Sequence, residues 1–114
     1  MPKALIIYPN GTTTLENLKD FDAVKAALED GYLELINFNN KIFAYIDEDG
    51  KRKGLEVNQP ATKFAHLHGL PKRDYIVGTM VVMGWLNEHG RRDGDEHDVP
   101  QEIVDAYLEF YKTL

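Results

Sequence analysis

The sequence contains no cysteine and no serine, and these two absences remove several common chemistries. Without cysteine there is no disulfide, no thiolate nucleophile, no Cys-ligated zinc site and no Cys-held iron–sulfur cluster. Without serine there is no G-x-S-x-G nucleophile elbow, and a start of Met1-Pro2 offers no N-terminal threonine nucleophile. The phosphate-binding patterns G-x-x-x-x-G-K-[ST] and G-x-G-x-x-G are also missing. We therefore predict a protein that is not an enzyme and uses no cofactor.

Positive charge is also scarce: the sequence has 13 Lys and Arg but 19 Asp and Glu, which gives a net charge of −6. That balance excludes a general nucleic-acid binder, which needs surplus cation on one face. No apolar run approaches the roughly 18 residues of a membrane span, so we expect no membrane association. The absence of cysteine fits a reducing compartment, and we expect a cytoplasmic protein.

What the chain does contain is typical of one globular domain spanning residues 1–114, with 43% hydrophobic and 28% charged residues. Hydrophobic periodicity and capping residues predict eight elements in the order ββαββαβα. The predicted strands are 3–8, 13–18, 32–38, 41–47 and 75–86, and the predicted helices begin at Asp20, Asn58 and Pro100. Gly31 is the expected left-handed stop of the first helix, and 87–98 is expected to be a polar loop. The fold class is α+β, with helices packed on one largely antiparallel sheet.

The predicted core comes from three segments. These are the strand around Leu5–Tyr8, the strand around Ile76–Trp85, and the last helix with its apolar stripe of Ile103, Tyr107, Phe110 and Leu114. Apolar residues at these spacings share one face of a helix or fill both faces of a buried strand.

The densest positive charge lies just before the predicted second helix. A basic stretch that leads into a helix N-terminus can hold an anion, because unpaired N–H groups and the helix dipole reinforce the cationic side chains. An ordinary solvated turn is the favoured interpretation of the same pattern. The candidate anion site consists of Lys51, Arg52, Lys53, Asn58, Thr62 and Lys63.

The segment 87–98 holds His89 and His97 among several carboxylates, which are ligand types for Zn²⁺ or Mn²⁺. The two histidines lack the helical i, i+4 spacing that would fix them, and Arg91 and Arg92 would oppose a cation. A solvated surface loop is therefore the favoured interpretation, and we assign no metal-binding residues. A metal-dependent enzyme that uses this loop stays open as a second alternative.

Several landmarks, taken in order, resemble one family. They are Lys3 to Gly11 (KALIIYPNG), Tyr45 to Gly50 (YIDEDG), Gly54 to Thr62 (GLEVNQPAT), Ile76 to Val82 (IVGTMVV) and Asp98-Val99-Pro100. The chain is similar over nearly its full length to the domain of unknown function 3846 family, small proteins of bacteriophages, plasmids and other mobile elements. The family pattern commonly has Leu-Pro where this chain has Leu55-Glu56. The resemblance implies an accessory protein in the bacterial host cytoplasm and implies no reaction.

By analogy with small phage proteins that lack catalytic groups, we expect a function by binding. A host protein, such as a component of host defence, is the favoured partner, and 11% aromatic content can supply the interface anchors. The alternative is sequestration of a small anionic, nucleotide-like ligand at the candidate anion site. Because so small a sheet must leave an edge exposed, we also predict a homodimer.

Overall fold

The computed structural model describes residues 2–29 and 31–112, and Leu114 of the predicted last stripe lies outside them. The described part of the chain holds six strands and four helices. The strands are β1 Lys3–Ile7, β2 Thr13–Asn17, β3 Leu33–Asn37, β4 Ile42–Asp47, β5 Met80–Leu86 and β6 Arg92–His97. The helices are α1 Phe21–Ala27, α2 Gly50–Lys53, α3 Gln59–Leu67 and α4 Gln101–Lys112. The eight predicted elements occur in the predicted order, and α2 and β6 are additional.

The strands form one antiparallel sheet in the order β2-β1-β5-β4-β3, and β6 also pairs with β5. The first half of β5, Met80–Val82, pairs with β1, whereas its second half pairs with β6 through Gly84 and Leu86. The strand predicted to be central is therefore central. β2 and β3 form the two edges of the main path, and the predicted α+β class is confirmed.

Helices cover both faces of this sheet, because side chains alternate between the faces along each strand. Leu5 and Ile7 of β1 point to the face that α3 and α4 cover, where Phe64 and Tyr107 complete one buried cluster. Ala4 and Ile6 of β1 point to the opposite face. That face is covered by α1 and holds the second cluster, with members Val24, Leu28, Phe43, Tyr45, Val81 and Met83.

The first helix ends differently from the prediction. Glu29, not Gly31, takes the left-handed conformation, with φ of 56°. Gly31 is needed for a different reason, since a Cβ at this position would overlap the buried carboxylate of Asp47. The glycine therefore permits close approach between the end of α1 and the end of β4.

The predicted loop 87–98 is wrong in part, because residues 92–97 form β6. The turn before it is closed by Asn87, whose Oδ1 accepts the amides of His89 at 2.9 Å and Arg91 at 3.1 Å. Every residue of β6 is charged, glycine or histidine, so it carries no alternating apolar signal. The strand is therefore recognised only from its backbone pairing with β5 and not from the pattern of its side chains.

Two further boundaries differ from the predictions. The basic stretch, interpreted above as an ordinary solvated turn, forms the single-turn helix α2. The long predicted strand 75–86 begins only at Met80, because Gly78 takes a positive φ of 71° and interrupts it. Upstream of that break, Val77 makes an isolated bridge to Val57.

Candidate functional site

Four aromatic rings on the α1 face contact one another in a continuous row, here called the aromatic ladder. The ring centroids of Phe21 and Tyr45 lie 6.3 Å apart, and those of Tyr45 and Phe43 lie 5.4 Å apart. Phe43 in turn lies 4.1 Å from Trp85. The guanidinium of Arg92 lies 4.5 Å above the Trp85 ring, in a cation–π contact that ends the row.

The sheet register places these rings. Phe43 and Tyr45 are two residues apart on β4 and so share a face, and Met83 and Val81 of β5 lie opposite them. Trp85 continues the same face of β5. Phe21 reaches the row from the first residue of α1, where the Asp20 side chain caps the helix by accepting the Ala23 amide at 2.9 Å.

Exposure divides the ladder into a buried middle and two accessible ends. Phe43 is fully buried and Tyr45 is 8% exposed, whereas Phe21 is 53% exposed and Trp85 is half-buried. Arg92 is exposed beyond Trp85. The row therefore has an accessible aromatic ring at one end and an accessible Arg–Trp pair at the other. The buried rings of Phe43 and Tyr45 lie between them.

Hydrogen bonds hold the polar atoms of the ladder. The Trp85 Nε1 donates to Asn37 Oδ1 at 2.9 Å, which fixes the indole against β3. The Tyr45 hydroxyl donates to Glu96 Oε1 at 2.8 Å and so ties β6 to the centre of the sheet. Burial raises the pKa of Tyr45, and the hydrogen bond and negative charge of Glu96 raise it further, so the phenol stays protonated.

Three of the four cations of the predicted anion site, those on α2, are each paired with a carboxylate. The pairs are Lys51 with Asp74 at 2.6 Å, Arg52 with Asp49 at 3.0 Å, and Lys53 with Asp47 at 2.7 Å. Lys51 also lies 4.3 Å from the centre of the Tyr75 ring. Two of these partners, Asp47 and Asp49, lie at the junction of β4 and α2, and the third, Asp74, lies in the segment between α3 and β5.

Two of the other three predicted residues, Asn58 and Thr62, are buried and hydrogen-bonded inside the protein. Asn58 is fully buried, and its Oδ1 accepts the Ala61 amide, so the predicted N-cap of α3 is present. Thr62 is 8% exposed, and its hydroxyl accepts the Ile76 amide at 2.9 Å. Lys63 lies exposed on α3. The structure therefore does not gather the six predicted residues around one ligand volume, and the amides of Ala61 and Thr62 at the start of α3 already donate to Asn58.

A cleft of about 440 Å³ lies beside α2, where β1 and β4 end and β5 begins. Its charged lining is Glu29, Asp47, Glu56 and Lys53, which is three carboxylates against one ammonium. Burial raises the pKa of Asp47, but hydrogen bonds from Lys53 and the Asp49 amide outweigh it and hold the pKa below its usual range. This lining is unfavourable for the phosphates of a nucleotide.

The histidines of the predicted metal alternative contact different groups. His97 Nε2 lies 2.8 Å from Asp93 Oδ1 along β6, whereas His89 lies at the hairpin turn, 3.6 Å from Glu88. Within residues 2–29 and 31–112, no three His, Asp or Glu side chains form a group that could hold a metal ion.

The aromatic ladder was not predicted from the sequence. Part of its signal was present, because aromatic residues at 43 and 45 on one strand must share a face. Phe21 and Trp85 join them only through the strand order, which the sequence pattern left open.

The fold and this surface define a small α+β protein with one antiparallel sheet, helices on both faces and an aromatic row on the α1 side. Residues 2–112 match the family described as Domain of unknown function (DUF3846), and the chain belongs to that family. The resemblance inferred from the sequence is thereby confirmed. Comparison with curated proteins and with solved structures gives no match. No helix in the described part of the chain is long and apolar enough to cross a membrane.

Proposed function

We propose that this protein acts by binding another protein, without catalysis, and that the accessible ends of the aromatic ladder are the contact surface. The observation that carries this proposal is the exposure of Phe21, at 53%, on a row of rings that ends in the Arg92–Trp85 pair. Aromatic residues and arginine are enriched at protein interfaces, where a few of them supply most of the binding energy.

The packing of the row supports this role over that of an incidental exposed ring. Contacts with Tyr45 and Asn37 restrict Phe21 and Trp85 before a partner arrives. Restricted side chains lose less conformational entropy on binding, so more of the contact energy remains as affinity. Asn37, Arg92 and Glu96 provide polar atoms beside the rings, as a polar rim does in known interfaces.

The partner we propose is a host protein in the bacterial cytoplasm, with a component of host defence as the favoured class. This follows the phage and mobile-element context that the family resemblance implies, together with the missing nucleophile and phosphate loop. The paired cations and the acidic cleft described above favour a protein partner over a nucleotide-like ligand.

The test is affinity purification from host extract, followed by binding of the purified partner to three variants. Phe21→Ala and Arg92→Glu change the two accessible ends of the ladder. Leu67→Ala is the matched control, since Leu67 is 62% exposed but lies on α3, on the other side of the sheet. We expect each ladder variant to weaken binding by roughly tenfold or more, as hot-spot truncation does, and the control to bind like the unaltered protein.

Equal binding by all three variants would contradict the proposed surface. A thermal-shift screen against nucleotides tests the small-anion alternative on the same preparation. If a nucleotide raises the melting temperature, and Lys51→Ala, Arg52→Ala and Lys53→Ala together abolish the shift, the protein sequesters an anion and the proposal is wrong. Stoichiometric metal that is lost in His97→Ala would instead support the enzyme alternative.

A further inference from the structure

The outer edge of β3 is an open strand edge. β3 pairs only with β4, through Leu33–Asn37, and its other side faces no strand in the described part of the chain. In an antiparallel sheet, alternate residues direct their N–H and C=O groups to opposite neighbours. Alternate residues of β3 therefore direct both backbone groups away from the sheet.

This edge lacks the features that usually prevent strand pairing. Natural edge strands are protected by lysine, proline, bulges or a covering segment. The sequence from Tyr32 to Phe38 is Tyr-Leu-Glu-Leu-Ile-Asn-Phe, with no lysine or proline and one charge, at Glu34. Leu35 is 43% exposed and Tyr32 is 74% exposed, so apolar surface accompanies the open backbone.

Hydrogen-bond geometry restricts how two β3 strands could pair. When two residues face each other in antiparallel strands, their backbone N–H and C=O groups either bond to each other or both point away from each other. Their residue numbers must then differ by an even number, so the two-fold axis must pass midway between the two copies of one residue, here called the centre. Within β3 the candidate centres are Glu34, Leu35 and Ile36.

Only one of these centres uses the whole strand. A centre at Glu34 pairs three strand residues and sets the two glutamates opposite each other, which is destabilising. A centre at Ile36 also pairs three strand residues. A centre at Leu35 pairs all five, with Leu33 opposite Asn37 and Glu34 opposite Ile36.

We propose that the protein forms a two-fold symmetric dimer in which the β3 strands of two copies pair antiparallel, centred on Leu35. In this register Tyr32 of each copy lies opposite Phe38 of the other, one position beyond each strand end. Aromatic cross-strand pairs of this kind stabilise antiparallel sheets. The register thus gives a partner to Tyr32, which is 74% exposed in the single chain.

The opposite edge of the sheet is a poorer candidate. β2 reads Thr-Thr-Leu-Glu-Asn, so Leu15 is its one large apolar residue. Lys19 follows two residues after the strand, and lysine near an edge opposes pairing. The two edges therefore offer an internal comparison, because Leu15 and Leu35 are equally exposed, at 42% and 43%.

The experiment exploits the absence of cysteine, which makes any introduced thiol unique. Leu35→Cys and Leu15→Cys are each treated with a short bis-maleimide, and the mass of the unaltered protein is measured by light scattering across the micromolar range. We expect a dimer in solution, with at least roughly tenfold more cross-linking at position 35 than at position 15, because pairing raises the effective thiol concentration. A mixture of Glu34→Cys and Ile36→Cys should also cross-link, more than either variant alone.

Leu35→Lys places two ammonium groups at the axis and should give a monomer with unchanged helix content, whereas Leu15→Lys should remain a dimer. A monomeric unaltered protein, or equal cross-linking at positions 15 and 35, would overturn the proposal. So would a dimer that persists in Leu35→Lys. Partner binding through the aromatic ladder is a separate measurement, and its failure would leave these results unaffected.

Discussion

We expect Asn58 to contribute much more to the free energy of unfolding than an ordinary helix cap does, and replacing it with alanine tests this directly. The side chain accepts the Ala61 amide as N-cap of α3, at 3.0 Å. Its Nδ2 also donates to the carbonyl of Ile7 at 2.9 Å and to that of Gly78 at 2.8 Å. Asn58 thus joins the end of β1, the turn before β5 and the start of α3, all with no exposure to solvent.

The expected cost follows from those three bonds. Loss of an N-cap costs about 1 kcal/mol, and each buried carbonyl left without its donor costs about 1–3 kcal/mol more. Asn58→Ala should therefore lower the free energy of unfolding by about 3–7 kcal/mol, or the melting temperature by about 12–28 °C in a domain of this size. Asp20→Ala removes the exposed cap of α1 and should cost only about 1 kcal/mol.

Guanidinium unfolding monitored by Trp85 fluorescence and by circular dichroism measures both variants. Asn58→Asp adds a second comparison, because it keeps the cap acceptor but cannot donate to the two carbonyls. We expect it to be at least as destabilising as Asn58→Ala, since it also buries a carboxylate. If Asn58→Ala costs no more than Asp20→Ala, the residue is only a cap and the reasoning is wrong.

Three further predictions concern other contacts. Lys53→Gln removes the ion pair that keeps the pKa of Asp47 low, so burial then raises that pKa. At neutral pH the free energy of unfolding of the variant should be about 1 kcal/mol lower than that of the unaltered protein. This difference should become smaller as the pH falls through the acid range, because Asp47 is then protonated in both proteins. Tyr45→Phe keeps the ring but removes the bond to Glu96, and should cost about 1 kcal/mol. Because the pKa of Tyr45 is raised, an alkaline absorbance titration of the unaltered protein should show a late tyrosine ionisation that is absent from the variant. Val81→Asp buries an unpaired charge in the central strand and should cost several kcal/mol; an unchanged melting transition would contradict the strand assignment.

The sequence predicted most of the architecture because its strongest signals are local. Apolar runs marked β1 and β5, and capping side chains marked α1 and α3 at Asp20 and Asn58. The polar strand β6 carried no such signal, because it has no apolar periodicity and forms through backbone pairing with β5. Strand order was open for the same reason, since register depends on contacts far apart in the chain.

The candidate site was predicted less well, and charge pairing explains why. Lys51, Arg52 and Lys53 are visible as a cluster in the sequence, but their partners are separated from them by different distances along the chain. Asp74, for example, lies 23 positions beyond Lys51. A cationic run predicts an anion site only when its charges are unpaired, and pairing is a property of the folded chain.

The two proposed surfaces have a geometric relation that affects how a partner would bind. Antiparallel strands of one continuous sheet are related by a two-fold axis perpendicular to that sheet, so a dimer through β3 would place both α1 faces on the same side. Both aromatic ladders would then face one partner surface. A partner with two matching sites would gain avidity from this arrangement, because the second contact becomes intramolecular. Leu35→Lys should therefore weaken binding to such a partner although it leaves Phe21 and Arg92 unchanged, whereas binding to a partner with a single site should not depend on dimerisation.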